Sequence, residues 1–201
     1  MSPRGRPAKF GDGRILDAAL EVFAREGPRA VSMAAVAREL GAPSGSLYYR
    51  FASRDHLLAE LWLRTVEAFQ NSFIAELSAR DPVESVATAA VWVVRWCREH
   101  PHEGRLLQLY RREDLVDGPF PQALAKRARA AGVQLQKLMA DMLALKWPGP
   151  APDALTLRFV LADIPAAAVR APLARGEPIP AAVDDLVSRA VLGVLLPARN
   201  G

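Results

Sequence analysis

The chain has one cysteine, Cys97, in 201 residues. No disulfide can close within it, and a reducing cytoplasm is the expected compartment. No stretch approaches the roughly 20 uninterrupted apolar residues of a membrane-spanning helix, and the basic N-terminus lacks the apolar segment of a signal peptide. Strand signal is nearly missing, and so are internal repeats and low-complexity tracts. There is no Gly-rich phosphate loop and no Gly-x-Ser-x-Gly elbow, so the common nucleotide and hydrolase signatures are excluded. The one group suggestive of a metal is His100, His102 and Glu103. Pro101 interrupts it and no second ligand cluster exists, so a solvated helix end is expected there, with no metal and no cofactor. Cys97 falls on the apolar stripe of its helix, which makes it a buried, inert thiol rather than a nucleophile. Nothing points to an enzyme.

What is present is a folded globular composition, 51% hydrophobic, with an uneven charge. The total is +4 from 26 basic and 22 acidic residues. Residues 1–56 hold nine basic and six acidic side chains, a net of +3. The remaining 145 carry +1. An excess at one end suits a polyanionic partner.

Residues 13–27, GRILDAALEVFAREG, predict an amphipathic helix with Ile15, Ala19, Val22 and Phe23 inward, stopped by Gly27-Pro28. Ser32 can cap a second helix whose stripe is Met33, Val36, Ala37 and Leu40. Gly41 ends it, Pro43 forbids continuation, and Ser44 can cap a third, very short helix. There Leu47 and Phe51 point inward, leaving Ser44, Gly45, Ser46, Tyr48, Tyr49 and Arg50 for outside contacts. Ser53 and Asp55 open a fourth helix. Two helices joined by a short Gly-containing turn make a helix-turn-helix, whose second helix enters the major groove of DNA.

Roles follow from side-chain chemistry. Tyr48, Tyr49 and Arg54 suit phosphate oxygens, as does the N-terminus of the helix after Ser53. Ser44, Ser46 and Arg50 suit base edges, and Gly45 permits close approach. Ser32 joins this set beside its capping role. Residues 3–9, PRGRPAK, form an extended basic arm in which Arg4 and Arg6 suit a narrow minor groove.

Residues 14–63 resemble the DNA-binding domain of the TetR (tetracycline-repressor-like) family. ILDAALEVFAREG, VSMAAVARELGAPSGSLYYRF and SRDHLL carry the likeness, above all Leu47-Tyr48-x-x-Phe51 followed by Ser-basic-acidic-x-Leu. Ser32, Arg50 and Arg54 depart from the family's usual Thr, His or aromatic, and Lys. The resemblance implies an all-α chain: a basic arm at 1–10, a three-helix helix-turn-helix domain at 11–56, and a helical effector-binding and dimerisation domain at 57–201. It implies a homodimeric repressor on a palindromic operator of double-stranded DNA, released by a small apolar or aromatic effector. A helical small-molecule-binding or interaction protein without regulated DNA binding is the alternative.

Beyond Leu57 the pattern predicts helices at 54–79, from Pro82 to about 99, 103–116, 120–147, 153–175 and 181–196, with a kink or break where Pro165 and Pro172 fall. Trp62, Phe69, Phe73, Trp92, Trp96, Tyr110, Met139 and Met142 are candidates for an apolar pocket, although the same residue types fill ordinary cores. Arg95, Gln108, Tyr110, Gln134 and Asp163 are possible polar anchors. Phe159, Ala166, Leu186, Ala190 and Val194 are candidates for a dimer seam on the last two helices.

Overall fold

A computed structural model describes residues 11–76, 81–110 and 120–196. Among these residues every regular element is helical. Helix α1 (Asp12–Glu26) is followed by a short 3-10 turn at Pro28–Ala30, then α2 (Met33–Leu40) and α3 (Gly45–Tyr48). The long α4 (Arg54–Glu76) leads to α5 (Pro82–Glu99), α6 (Pro101–Leu109) and α7 (Gln122–Leu143). Then come α8 (Ala154–Arg158), a π-helical turn at Phe159–Asp163, α9 (Ile164–Arg175) and α10 (Ala182–Leu195). Arg4 and Arg6 lie outside the described residues.

The apolar side chains assemble into two cores. The first joins α1, α2, Leu47 and Phe51 to the start of α4 and to Leu106, Leu124, Ala128 and Ala131. The second gathers α5 with Leu157, Val160, Leu161, Val169, Leu173, Val187 and Val191. α4 serves both: Leu57, Leu58, Leu61, Trp62 and Leu63 belong to the first core and Phe73 to the second. The three short helices therefore do not close their core alone. Arg127 on α7 fastens the same α4, donating to Glu60 at 2.7 Å and to Glu67 at 3.0 and 2.7 Å.

Local chemistry sets the boundaries. Asp81 caps α5 by accepting from the Val83 and Glu84 amides at 2.8 and 3.1 Å, with Pro82 in the first turn where its missing N–H costs nothing. α6 starts at Pro101, two residues before the sequence reading placed it, for the same reason. Gly104 sits where α5, α6 and α9 cross: a Cβ there would lie 3.2 Å from Cys97 Sγ and 3.3 Å from Leu173 Cδ1. Pro165 neither ends nor breaks its helix. A proline lacks the N–H that an α-helix needs, and its ring crowds the carbonyl four residues earlier. The backbone meets this by widening just upstream, where the Ile164 amide donates to the Phe159 carbonyl five residues back. Pro172 stands inside α9, one turn from its end.

Candidate nucleic-acid interface

The reading segment is built from short-range rules. Ser32, in extended backbone, accepts from the Ala35 amide at 3.1 Å and starts α2. Gly41 ends it at φ 61°, a left-handed conformation that side chains with a Cβ rarely take. The chain reverses through Ala42 and Pro43 into α3, which is only four residues long. Such a helix cannot stand on its own hydrogen bonds. Leu47 and Phe51, 1% and 3% exposed, pin it to the first core.

With those two side chains inward, Ser44, Gly45, Ser46, Tyr48, Tyr49 and Arg50 are all exposed. Tyr49 is 93% exposed and Tyr48 55%, so neither belongs to the core. Two aromatic rings held in water beside buried neighbours are unusual for a packing role and suit contact with a partner.

The expected cap at Ser44 is corrected. Its backbone is already helical, φ −57° and ψ −33°, and its side chain makes no capping bond. An N-cap oxygen needs extended backbone to reach the amides ahead of it. Instead Ser46 Oγ donates to the Pro43 carbonyl at 2.6 Å, closing the turn from the other side. Ser46 is thus partly committed, and Ser44 is free of the duty assigned to it.

The two arginines also differ from expectation. Arg54 Nε donates to the Val31 carbonyl at 2.6 Å and Nη2 to the Pro28 carbonyl at 2.8 Å. Its guanidinium braces the α1–α2 connection, and Nη1 lies 3.5 Å from Asp55. Arg50 pairs with Asp12 at the start of α1, so its charge is partly answered before any partner arrives. Sequence reading did not single out Arg29 and Arg38, exposed cations of the same three-helix unit. It also missed His56, whose Nδ1 accepts from the Ala52 amide at 3.1 Å while Ser53 Oγ accepts from the His56 amide at 3.1 Å. Ser53 thus caps the helix as in a capping box, while the imidazole reaches one residue further back than the usual Glu or Gln, and together they fix the entry into α4.

Behind the reading segment, Phe69, Phe73, Trp92 and Trp96 form one aromatic cluster, with centroid distances such as 4.9 Å for Phe69–Trp96 and 5.8 Å for Phe69–Phe73. Met139 and Met142 pack on the same core. Trp62 and Tyr110 do not join them; they pack with the first core. None of the eight lines the groove of about 800 Å³ between α5 and α10, whose walls include Glu84, Val91, Arg95, Ser188 and Leu192. Three of the possible polar anchors are engaged elsewhere. Arg95 donates to Asp184 at 2.9 Å, Gln108 donates to the Ala166 carbonyl at 3.2 Å, and Asp163 pairs with Arg158 at 3.4 Å. Burial would raise the Asp184 carboxyl, but hydrogen bonds from Arg98 and Arg95 outweigh it and hold the group below its ordinary range. Leu155, Phe159, Leu186 and Val194 leave large apolar surface in water, at 66%, 44%, 56% and 38% exposed. Ala190 is exposed beside them, whereas Ala166 is half-buried.

Residues 15–61 match the family of bacterial regulatory proteins of the tetR type. Over most of its length the chain shares its fold with solved regulators. The fatty acid degradation regulator FadR of Bacillus halodurans is 16% identical, with a TM-score of 0.66 over 98% of this chain and 99% of that one. FadR of Bacillus subtilis, solved in complex with stearoyl-CoA, is 16% identical, with 0.64 over 93% and 98%. The ketosteroid regulator KstR2 of Mycobacterium tuberculosis is 21% identical, with 0.61 over 93% and 94%. No described helix is long and apolar enough to cross a membrane. The matched helix-turn-helix, its buried anchors and its exposed tyrosines give residues 15–61 the make-up of a tetR-type DNA-binding domain, the kind carried by bacterial transcriptional regulators.

Proposed function

We propose that the protein is a homodimeric repressor that binds a palindromic operator and is released by a small apolar effector. The observation that carries this reading is a pair of unlike exposed surfaces. At one end Ser44–Arg50 offers hydroxyls, two tyrosines and an arginine; at the other, Leu155, Phe159, Leu186, Ala190 and Val194 offer hydrocarbon. Hydrocarbon of that extent suits a second copy of the same helices. A reading helix of one turn makes few base contacts, so two of them, about 34 Å apart on successive major grooves, are needed for specificity.

Tyr48 and Tyr49 fix register through phosphates, Ser44 and Ser46 meet base edges, and Gly45 allows the approach. Arg50 reaches a base or phosphate by exchanging its Asp12 partner. Arg4 and Arg6 would reach the minor groove. Arg54 acts through the α1–α2 brace rather than as a free phosphate ligand.

The effector reading is supported by the aromatic and methionine cluster against α4. Two fold relatives add to it, one solved with stearoyl-CoA and one described as a ketosteroid regulator. Since α4 serves both cores, a ligand that prefers one placement of α4 changes the spacing of the two reading helices. Only that preference, not affinity as such, moves the DNA equilibrium. Selection of bound duplexes from a random pool tests the proposal. A palindrome bound with steep salt dependence supports it, and a monomer binding a single half-site overturns it.

A further inference from the structure

Two buried polar side-chain atoms among the described residues have no hydrogen-bond partner: the indole Nε1–H of Trp62 and the amide Oε1 of Gln70. Trp62 is only 8% exposed. Both belong to α4. They are eight positions apart, with Val66 midway, so they stand on one i, i+4, i+8 ridge about 12 Å apart along the axis. On the adjoining ridge Phe69 stacks on Phe73 and meets Trp96 edge-on. Trp62 packs in the first core and Phe73 in the second, so the ridge runs along the junction of the two. A buried donor or acceptor without a partner destabilises the fold and is rare in native proteins. Two on one helix, beside an aromatic wall, call for a common explanation.

We propose that Trp62 and Gln70 are the polar anchors of the effector site, and that the effector is an elongated apolar molecule polar at both ends. An indole can only donate, so the end at Trp62 carries an acceptor such as a carbonyl. The Gln70 oxygen accepts, so the other end carries a hydroxyl. This assignment rests on the effector-responsive reading above and specifies its ligand class.

The test uses full-length protein and three probes of one chain length, titrated calorimetrically: decane, methyl decanoate and methyl ω-hydroxydecanoate. Wild type is expected to bind the hydroxy ester about tenfold more tightly than the plain ester, the ratio of one added hydrogen bond. Gln70→Leu removes that preference and keeps the affinity for the plain ester. Trp62→Phe weakens both esters about tenfold and leaves decane unchanged. Gln70→Leu is also expected to melt no lower than wild type without ligand, because hydrocarbon replaces an unpaired carbonyl. A lower melting temperature would mean that Gln70 has a structural partner, and overturns the assignment. Equal affinities for the two esters in wild type, or a preference that survives Gln70→Leu, overturn it as well, while bound decane leaves the apolar-effector reading standing. Failure of all three probes on protein that still binds its operator overturns that reading and this assignment together.

Discussion

The two ends of the molecule solve opposite problems. The three-helix unit presents polar groups on a backbone fixed by caps, one left-handed glycine and two buried anchors. The helical body presents hydrocarbon on long helices whose positions depend on mutual packing. A partner with a regular repeat, such as duplex DNA, demands fixed geometry, so the first end is governed by short-range rules. A partner identical to the protein demands only a self-complementary apolar face, which many sequences supply.

The contrast can be broken hardest at the anchors. Leu47→Ala and Phe51→Ala should each cost about 2–5 kcal/mol, since both side chains are buried and α3 has no other support. Urea denaturation measures this, and a loss below about 1 kcal/mol would mean that α3 holds itself. At the opposite end Leu186→Asp should leave the fold intact but place a charge in the proposed seam. Sedimentation should then report a monomer, and operator affinity should fall at least about a hundredfold. A dimer that persists would move the seam elsewhere.

Arg54→Ala should cost about 1–2 kcal/mol by leaving the Pro28 and Val31 carbonyls without their donor. Arg54→Lys should not restore it, because one ammonium cannot span both. Tyr49→Ala should leave the melting temperature unchanged and weaken binding to all duplexes about tenfold, with the salt slope kept because no charge is lost. Wild-type affinity across salt concentrations would remove its phosphate role.

The smallest effect is alkaline. Burial pushes the Cys97 thiol up to about 12 from an ordinary value of 9.0. Between these values the unfolded chain gives up a proton that the folded chain keeps. Stability is therefore undiminished below about pH 9 and falls as pH rises toward 12. Denaturation of wild type against Cys97→Ala at pH 8 and about 10.5 isolates this slope; parallel curves would show that the thiol is not shielded.

Legibility followed the same division. The Ser32 cap, the Gly41 stop, the inward turn of Leu47 and Phe51 and the start at Pro82 could be read in the sequence, since each depends on residues within one turn. The brace from Arg54 to Val31 and the Arg50–Asp12 pair could not, because they join positions 23 and 38 apart. Ser44 misled because a serine before a short helix caps only if its backbone is extended. Trp62 read as one of a set of pocket aromatics; its unpaired N–H and its separation from Phe69 depend on tertiary packing. The rule that proline disrupts a helix was sound for Pro165, but the chain answers with a wider turn instead of a break.

That wider turn ties the length of the chain to one proline. Phe159–Asp163 holds one residue more than an α-helix would spend on the same advance. Deleting a single residue there would let a regular α-helix make the same advance, leaving Val169 and Leu173 in register with the core while setting the Pro165 ring against the carbonyl four residues before it. Loss of that residue should therefore be tolerated far better in a chain that has also lost the proline.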